Sequence, residues 1–336
     1  FFAQLYADPN LSREPHSGGR QMNSHFATRF IDEKGQWLSQ MNSYNSSSDL
    51  SPTGGQMARL LGLAYASKLF RENKDLKNNP KYRKFTNSGN EVCFGTIGNA
   101  STSEGVFWET INAAGVVQVP MLVSIWDDDY GISVPNQLQT TKANIGEVLS
   151  GFQSSKESKG LEILTTKGHD YNHLHQTYKK ASEICRSEHT PVIVHVTEMT
   201  QPQGHSTSGS HERYKSKERL GYEKSMDCIH HFKSWMIEQG HATESQLSSM
   251  EQKADELVEQ AKENSWNNYQ QDIREEANNA CDFLSQINSN LDLDEINNIV
   301  QTLKQTPVIF RKNIQHSVES ALYLLKHEDQ KKSSSV

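Results

Sequence analysis

Two short clusters of oxygen-bearing side chains carry the clearest chemistry in this 336-residue chain. The first is Gly98-Asn99-Ala100-Ser101, followed by Glu104. It comes directly after an apolar run, residues 91–97, that reads as a strand. Gly98 permits a tight turn without strain at Cβ. Asn99 then offers a side-chain oxygen at the strand's carboxyl end. Ser101 and Glu104 have the spacing of a capping box, which predicts a helix starting there. A helix N-terminus beside a turn of small residues suits phosphate oxygens. The second cluster, Asp127-Asp128-Asp129-Tyr130, ends the next apolar run, residues 121–126. In an open parallel sheet, ligands bind outside the carboxyl ends of the strands. Asn99 and Asp128, with diphosphate oxygens and water, would suit an octahedral Mg²⁺ ion. Taken singly, each cluster also reads as a solvated turn or a plain helix cap. Their separation, about thirty residues on one strand–helix–strand unit, favours the site reading.

Other chemistry-bearing residues are more scattered. His205 lies in a Gly/Ser-rich loop after an apolar run, a good place for a site residue. Ser51-Pro52-Thr53-Gly54-Gly55 precedes a helical pattern and by itself is a helix-initiating turn. His169, His173 and His175 lie where a helix should begin, without carboxylates arranged around them, so no zinc site is expected. Cys93, Cys185, Cys228 and Cys281 are far apart and lack CxxC spacing. They read as reduced thiols of a cytoplasmic protein. No Walker-A or GxSxG pattern occurs, which argues against a P-loop NTPase or an α/β-hydrolase.

The elements that must position these residues fall into two textures. Up to about residue 215, strand candidates at 91–97, 121–126, 161–165 and 191–196 alternate with helix candidates at 56–73, 103–117 and 171–187. That alternation predicts a doubly wound parallel sheet covered on both faces. Beyond it the strands stop. Amphipathic helices are expected near 222–239, 244–263, 274–288, 294–305 and 311–327, and Thr243 and Gln246 have capping-box spacing. The expected division is a ligand-binding part over residues 1–220 and a helical extension and linker over 221–336. The 34 Lys and Arg against 41 Asp and Glu leave a formal charge of −7, which argues against a nucleic-acid partner. The mean hydropathy is −0.74, and no run of about 18 apolar residues would span a membrane. Phe1 is not a start residue and the last residues read as a polar linker, so the chain reads as part of a longer polypeptide.

The segments Gly98–Gly105 and Asp127–Pro135 together resemble the thiamine-diphosphate family, whose signature is Gly-Asp-Gly, about thirty residues, then Asn-Asn. The closer resemblance is to alpha subunits of pyruvate and branched-chain 2-oxo-acid dehydrogenases. His16-Ser17-Gly18-Gly19-Arg20-Gln21-Met22, Ser51-Pro52-Thr53 and the loop from Thr200 to Ser208 resemble further segments of the same subunits. The likeness covers roughly residues 1–265, and several segments look like the alpha part of a fused alpha–beta polypeptide, with residues 292–336 as a connector. Asn99, Asp128 and the backbone carbonyl of Tyr130 fall on the family's Mg²⁺ ligands. Ser51, Thr53, Gly98, Asn99, Ala100, Ser101, Ile132 and His205 fall on its cofactor-contacting positions, His205 being the histidine that faces cofactor and substrate. The departures are Asn99 for an acid, Asp128 for an amide, Ala100 and Asp129 for glycines, and Gln201 for an arginine. The first two exchange places, so the side-chain charge on the metal is unchanged. Asp129 would strain the turn if it needs positive φ, although Asp tolerates that region better than most residues.

The resemblance implies thiamine diphosphate and Mg²⁺ as cofactors and oxidative decarboxylation of a branched-chain 2-oxo acid or pyruvate, with acyl transfer to a lipoyl acyltransferase component. It implies a beta-type subunit or domain that supplies the activating glutamate, in a twofold assembly. A related thiamine enzyme acting on pyruvate or acetoin is the rival among enzymes. A degenerate alpha domain serving only as an assembly scaffold is the rival of another class, and Asn99, Ala100 and Gln201 are the residues that favour it.

Overall fold

The computed structural model describes residues 1–77, 79–205 and 211–334. Its helices and strands run in the order α1 (Phe2–Leu5), α2 (Gln56–Glu72), α3 (Lys74–Lys77), β1 (Cys93–Gly98), α4 (Gly105–Val117), β2 (Met121–Trp126), β3 (Tyr130–Gly131), β4 (Val134–Pro135), α5 (Ile145–Leu149), β5 (Glu162–Lys167), α6 (Tyr171–Glu188), β6 (Val192–Thr197), α7 (Lys217–Ser225), α8 (Cys228–Glu238), α9 (Glu244–Asn288), α10 (Asp294–Gln305) and α11 (Arg311–Ser334). Contacts divide the chain into two compact units. One is Phe26–Leu247, and the other is Phe1–His25 with Ser248–Val336.

The first unit is built on a four-stranded, all-parallel sheet in the order β1-β2-β6-β5. The central strands are apolar at successive positions because both faces are covered. Met121, Val123 and Ile125 of β2 and Ile193 of β6 join one core with Met57, Leu60 and Ala64 of α2 and Phe107, Ile111 and Ala114 of α4. Leu122 of β2 and Val192, Val194 and Val196 of β6 point the other way, onto Ala181 and Cys185 of α6. This is the doubly wound arrangement that the alternation predicted. Gly95 explains how closely α2 approaches β1: a Cβ there would lie 2.6 Å from Leu60 Cδ2.

The second unit has its own apolar core. Ile273, Ala277, Cys281 and Leu284 form an i, i+4, i+8, i+11 stripe on α9, and Ile296, Val300 and Leu303 repeat the pattern on α10. Ile309 and Ala321 close the cluster.

The expected and observed elements differ at several places. The two helices expected at 244–263 and 274–288 are one helix, α9, because the intervening residues contain neither Pro nor Gly to stop it. The helix expected over 222–239 is two, α7 and α8, since Asp227 caps a new start by accepting from the His230 amide at 2.9 Å. The Ser101/Glu104 capping box does not form. Ala100–Ser103 is a 3₁₀ turn, and α4 starts after Glu104 without a side-chain cap. The Thr243/Gln246 box does form: the Thr243 amide donates to Gln246 Oε1 at 2.9 Å and the Gln246 amide to Thr243 Oγ1 at 3.3 Å. The four cysteines are unpaired. Among the described residues no helix is long and apolar enough to cross a membrane.

Candidate functional site

The parallel register of β1 and β2 pairs Gly98 with Trp126, so the turns that follow, Asn99–Ser103 and Asp127–Asp129, leave the sheet side by side. The Asn99 backbone amide donates to the Trp126 carbonyl at 3.1 Å and continues that pairing one residue beyond the strand. A cavity of about 260 Å³ opens at this strand end, lined by Ser51, Pro52, Thr53, Gly54, Gln56, Thr96, Ile97, Gly98, Ser101 and Trp126. Four of the expected cofactor residues, Ser51, Thr53, Gly98 and Ser101, thus line one space although nearly fifty residues separate the two pairs in sequence. Gly54, at φ +74°, lets the turn before α2 lie against the start of α4, since a Cβ there would lie 3.2 Å from Glu104 Cβ and from Val106 Cγ1.

Behind the cavity rim runs a chain of buried hydrogen bonds. His195 on β6 contacts Asp127 Oδ2 through Nε2 at 2.8 Å. Asp127 Oδ1 accepts from the Asp129 amide at 3.0 Å and from Asn136 Nδ2 at 3.1 Å. Asn136 Oδ1 accepts from Asn99 Nδ2 at 2.8 Å. Burial works against the charge on Asp127, but His195, the Asp129 amide and Asn136 outweigh it and hold the carboxyl below its ordinary range. Asp128 differs. Burial pushes its carboxyl up, opposed by the Tyr130 amide at 3.2 Å and by the charge of Lys215. Among the described residues its donors are backbone amides alone, that of Tyr130 and its own, with no side-chain donor on the carboxylate.

Helix α7 grips the same turn from outside. Arg219 donates through Nη2 to the Asp128 carbonyl at 2.6 Å and pairs with Asp129 Oδ2 through Nη1 at 2.7 Å. Its Nε meets Glu223 Oε1 at 2.8 Å, and Lys215 Nζ meets both Glu223 oxygens at 2.7 and 2.9 Å. Lys215 Nζ also lies 5.0 Å from the Tyr130 ring centre, within cation–π range. Asp129 does sit at positive φ, +67°, and pairs there with Arg219.

The remaining expected residues are spread around this region. Ala100 is in the 3₁₀ turn and its carbonyl accepts from Gln139 Nε2 at 3.2 Å. The end of β3 packs against it, since a Cβ on Gly131 would lie 2.6 Å from Ala100 Cβ. Ile132, at φ +57° in the turn between β3 and β4, is 60% exposed and does not line the cavity. His205 is exposed, and among the described residues no hydrogen bond or ion pair ties it to the rim. Ser206, Thr207 and Ser208 of its loop lie outside the described residues. Asn99, Asp128 and Tyr130 flank the cavity without lining it. Among the described residues no three His, Cys, Asp or Glu side chains gather around a metal position. The donors on offer at this turn are instead an amide, a carboxylate and a backbone carbonyl, hard oxygens of the kind Mg²⁺ takes. Sequence reasoning missed Asn136, His195, Lys215, Arg219 and Glu223. A signal existed for one of them: His195 interrupts the otherwise apolar run that Thr197 ends.

Residues 7–274 match the family model described as dehydrogenase E1 component. Similar proteins include the 2-oxoisovalerate dehydrogenase subunit alpha of Bacillus subtilis (strain 168), 28% identical over 181 residues, or 54% of this chain and 44% of that one. Another is the pyruvate dehydrogenase E1 component subunit alpha of Rickettsia bellii (strain RML369-C), 26% identical over 110 residues, 33% of this chain and 32% of that one. The matched stretches span less than half the length of either relative.

Proposed function

The chain belongs to the dehydrogenase E1 component family, and on that premise we propose that it is the alpha-type, diphosphate-binding part of a thiamine-diphosphate-dependent 2-oxo-acid dehydrogenase. The observation that carries this reading is the cavity in which Ser51 and Thr53 face Gly98 and Ser101, with Asn99 and Asp128 beside it. The residues fit the group. Gly98 keeps the floor open and Ser101 with the 3₁₀ turn offers donors to diphosphate oxygens. Asn99, Asp128 and the Tyr130 carbonyl would hold Mg²⁺, Asp128 giving the one carboxylate. Ser51 and Thr53 would contact the aminopyrimidine end, with Ala100 and Ile132 bounding the site. His205 would position charge near the reacting carbon. When bound, thiamine diphosphate supplies the electron sink for loss of carbon dioxide from a 2-oxo acid.

The substrate class in this reading is a branched-chain 2-oxo acid or pyruvate, the acids in the names of the two relatives. A beta-type subunit or domain completes the site in a twofold assembly, and a lipoyl acyltransferase component receives the acyl group. The test is calorimetric titration of thiamine diphosphate into the full polypeptide with its beta-type part, in Mg²⁺ and in chelator, repeated on Asp128→Ala. Binding that requires Mg²⁺ and weakens at least about tenfold in the variant is expected, the loss of one charged ligand. Binding indifferent to both, or absent altogether, would overturn the reading.

A further inference from the structure

We propose that Asp127 and Asn136 are positioning residues that force the Asn99 amide to present its oxygen, and not its nitrogen, to the metal site. The inference rests on the metal–diphosphate reading above and deepens it. Donors and acceptors run one way along the buried chain. An ionised carboxylate only accepts, so Asp127 Oδ1 can meet Asn136 only through the Asn136 NH₂ group, at 3.1 Å. That fixes which end of Asn136 faces the other way: its Oδ1, which only accepts. The contact with Asn99 at 2.8 Å must then be made by the Asn99 NH₂ group. The Asn99 oxygen is left pointing away from Asn136. An amide can usually turn over at little cost. This one cannot, because turning it would set oxygen against oxygen in a pocket where Asn136 and Asn99 are each 3% exposed.

Asp127 is itself locked. Its Oδ1 also accepts from the Asp129 amide at 3.0 Å, and Oδ2 contacts His195 Nε2 at 2.8 Å, in a place where Asp127 is 5% exposed. The direction of the chain is therefore set from the sheet outward: His195, Asp127, Asn136, Asn99. Mg²⁺ coordinates oxygen and not amide nitrogen, so the neutral side chain of Asn99 is a usable ligand only if its orientation is imposed. The carboxylate of Asp127 and the amide of Asn99 thus act as a matched pair, read through Asn136.

The fixed direction makes opposite demands on two backgrounds. Asn99→Asp adds a carboxylate to the metal site and by charge alone should tighten Mg²⁺ binding. Here the new carboxylate would face the Asn136 oxygen, which cannot turn because Asp127 holds the other end. Asn136→Ala should then act with opposite sign in the two backgrounds. In the wild-type background it frees the Asn99 amide to turn and weakens Mg²⁺ binding about fivefold, the value of one orienting hydrogen bond. In the Asn99→Asp background it removes the opposing oxygen and tightens Mg²⁺ binding by a similar factor. A merely structural role for Asn136 would weaken both.

The experiment titrates Mg²⁺ into the full polypeptide with its beta-type part at saturating thiamine diphosphate, for wild type, Asn99→Asp, Asn136→Ala and the double variant, with circular dichroism melts confirming that each is folded. Opposite-signed effects of Asn136→Ala support the inference. Weakening in both backgrounds, or tightening by Asn99→Asp alone, overturns it while leaving the metal–diphosphate reading in place. Failure of wild type to bind Mg²⁺ and thiamine diphosphate overturns that reading and the inference with it. If Asn136→Ala does not fold, Asn136→Ser replaces it, the shorter hydroxyl being able to donate to either neighbour, and the same opposite signs are required.

Discussion

Glu14 and Asp128 are both buried carboxylates, 2% and 9% exposed, and burial wins over the hydrogen bonds only at Asp128, so the two shift in opposite directions. Burial would raise Glu14, but the Ser17 hydroxyl and the amides of Ser17, Gly19 and His16 converge on it and hold it at about 2. Its folded-state value lies below the ordinary 4.5, so its contribution to stability is present above that pH and is lost as the pH falls toward 2. Glu14→Gln should cost about 1–2 kcal/mol at pH 7, after allowance for solvent screening, and flatten the stability profile between those limits. Urea denaturation at several pH values measures this, and an unchanged acid limb would show that Glu14 does not cause it. Asp128 lacks such a set of donors, the condition in which a cation is welcome. At this scale the sequence showed which side chains had oxygen at the right spacing. It did not show Asn136, because an Asn after Val134-Pro135 looks like any turn residue until its partners are known. Asp127 was legible as part of an acidic run but not as the residue that sets the direction of a hydrogen-bond chain.

Elements place these side chains through close contacts that composition does not reveal. The start of α5 touches His195: a Cβ on Gly146 would lie 2.6 Å from His195 Nδ1. Helix propensity alone favours Gly146→Ala by about 1 kcal/mol. The overlap with a packed, hydrogen-bonded ring costs more, about 1–3 kcal/mol, so the variant should be less stable and should shift the His195 ring resonances. A more stable Gly146→Ala with unmoved His195 signals would contradict this packing. On the outer side, α7 carries Glu223 to Lys215, which precedes the helix, and the two, 1% and 6% exposed, form an ion pair beside Asp128–Tyr130. Glu223→Ala leaves a buried lysine uncompensated and should cost about 3–5 kcal/mol, whereas Lys215→Met with Glu223→Leu should cost far less. Chemical denaturation distinguishes them, and equal losses would mean the pair is not the source of stability. Strand β2 was legible to the residue because both its faces are apolar and both its ends are turns. The α7–α8 break was not, since one Asp at a helix start is a weak signal against a continuous amphipathic pattern. The start of α4 was misjudged because Ser101 and Glu104 had the right spacing but their backbone is a 3₁₀ turn.

At the scale of the whole chain, three apolar clusters serve two compact units, two of them on the faces of the sheet, and the cavity, the acidic turn and the buried hydrogen-bond chain all belong to the unit Phe26–Leu247. The doubly wound sheet was legible because strands buried on both faces read as near-continuous apolar runs, as β2 and β6 do apart from Ser124 and His195. The pocket was not, because Ser51 and Thr53 reach it through the packing of α2 on β1, which depends on the missing Cβ of Gly95. The family match over residues 7–274 includes the whole of that sheet. The most direct test of the proposed metal–diphosphate site is a crystal structure of the full polypeptide with the proposed beta-type part, thiamine diphosphate and Mn²⁺ in place of Mg²⁺, read by anomalous scattering. One metal peak is predicted within coordination distance of the Asn99 side-chain oxygen, an Asp128 carboxylate oxygen and the Tyr130 carbonyl, with the diphosphate over Gly98 and Ser101. A metal peak away from these three oxygens, or thiamine diphosphate bound with no metal beside Asp128, would contradict it.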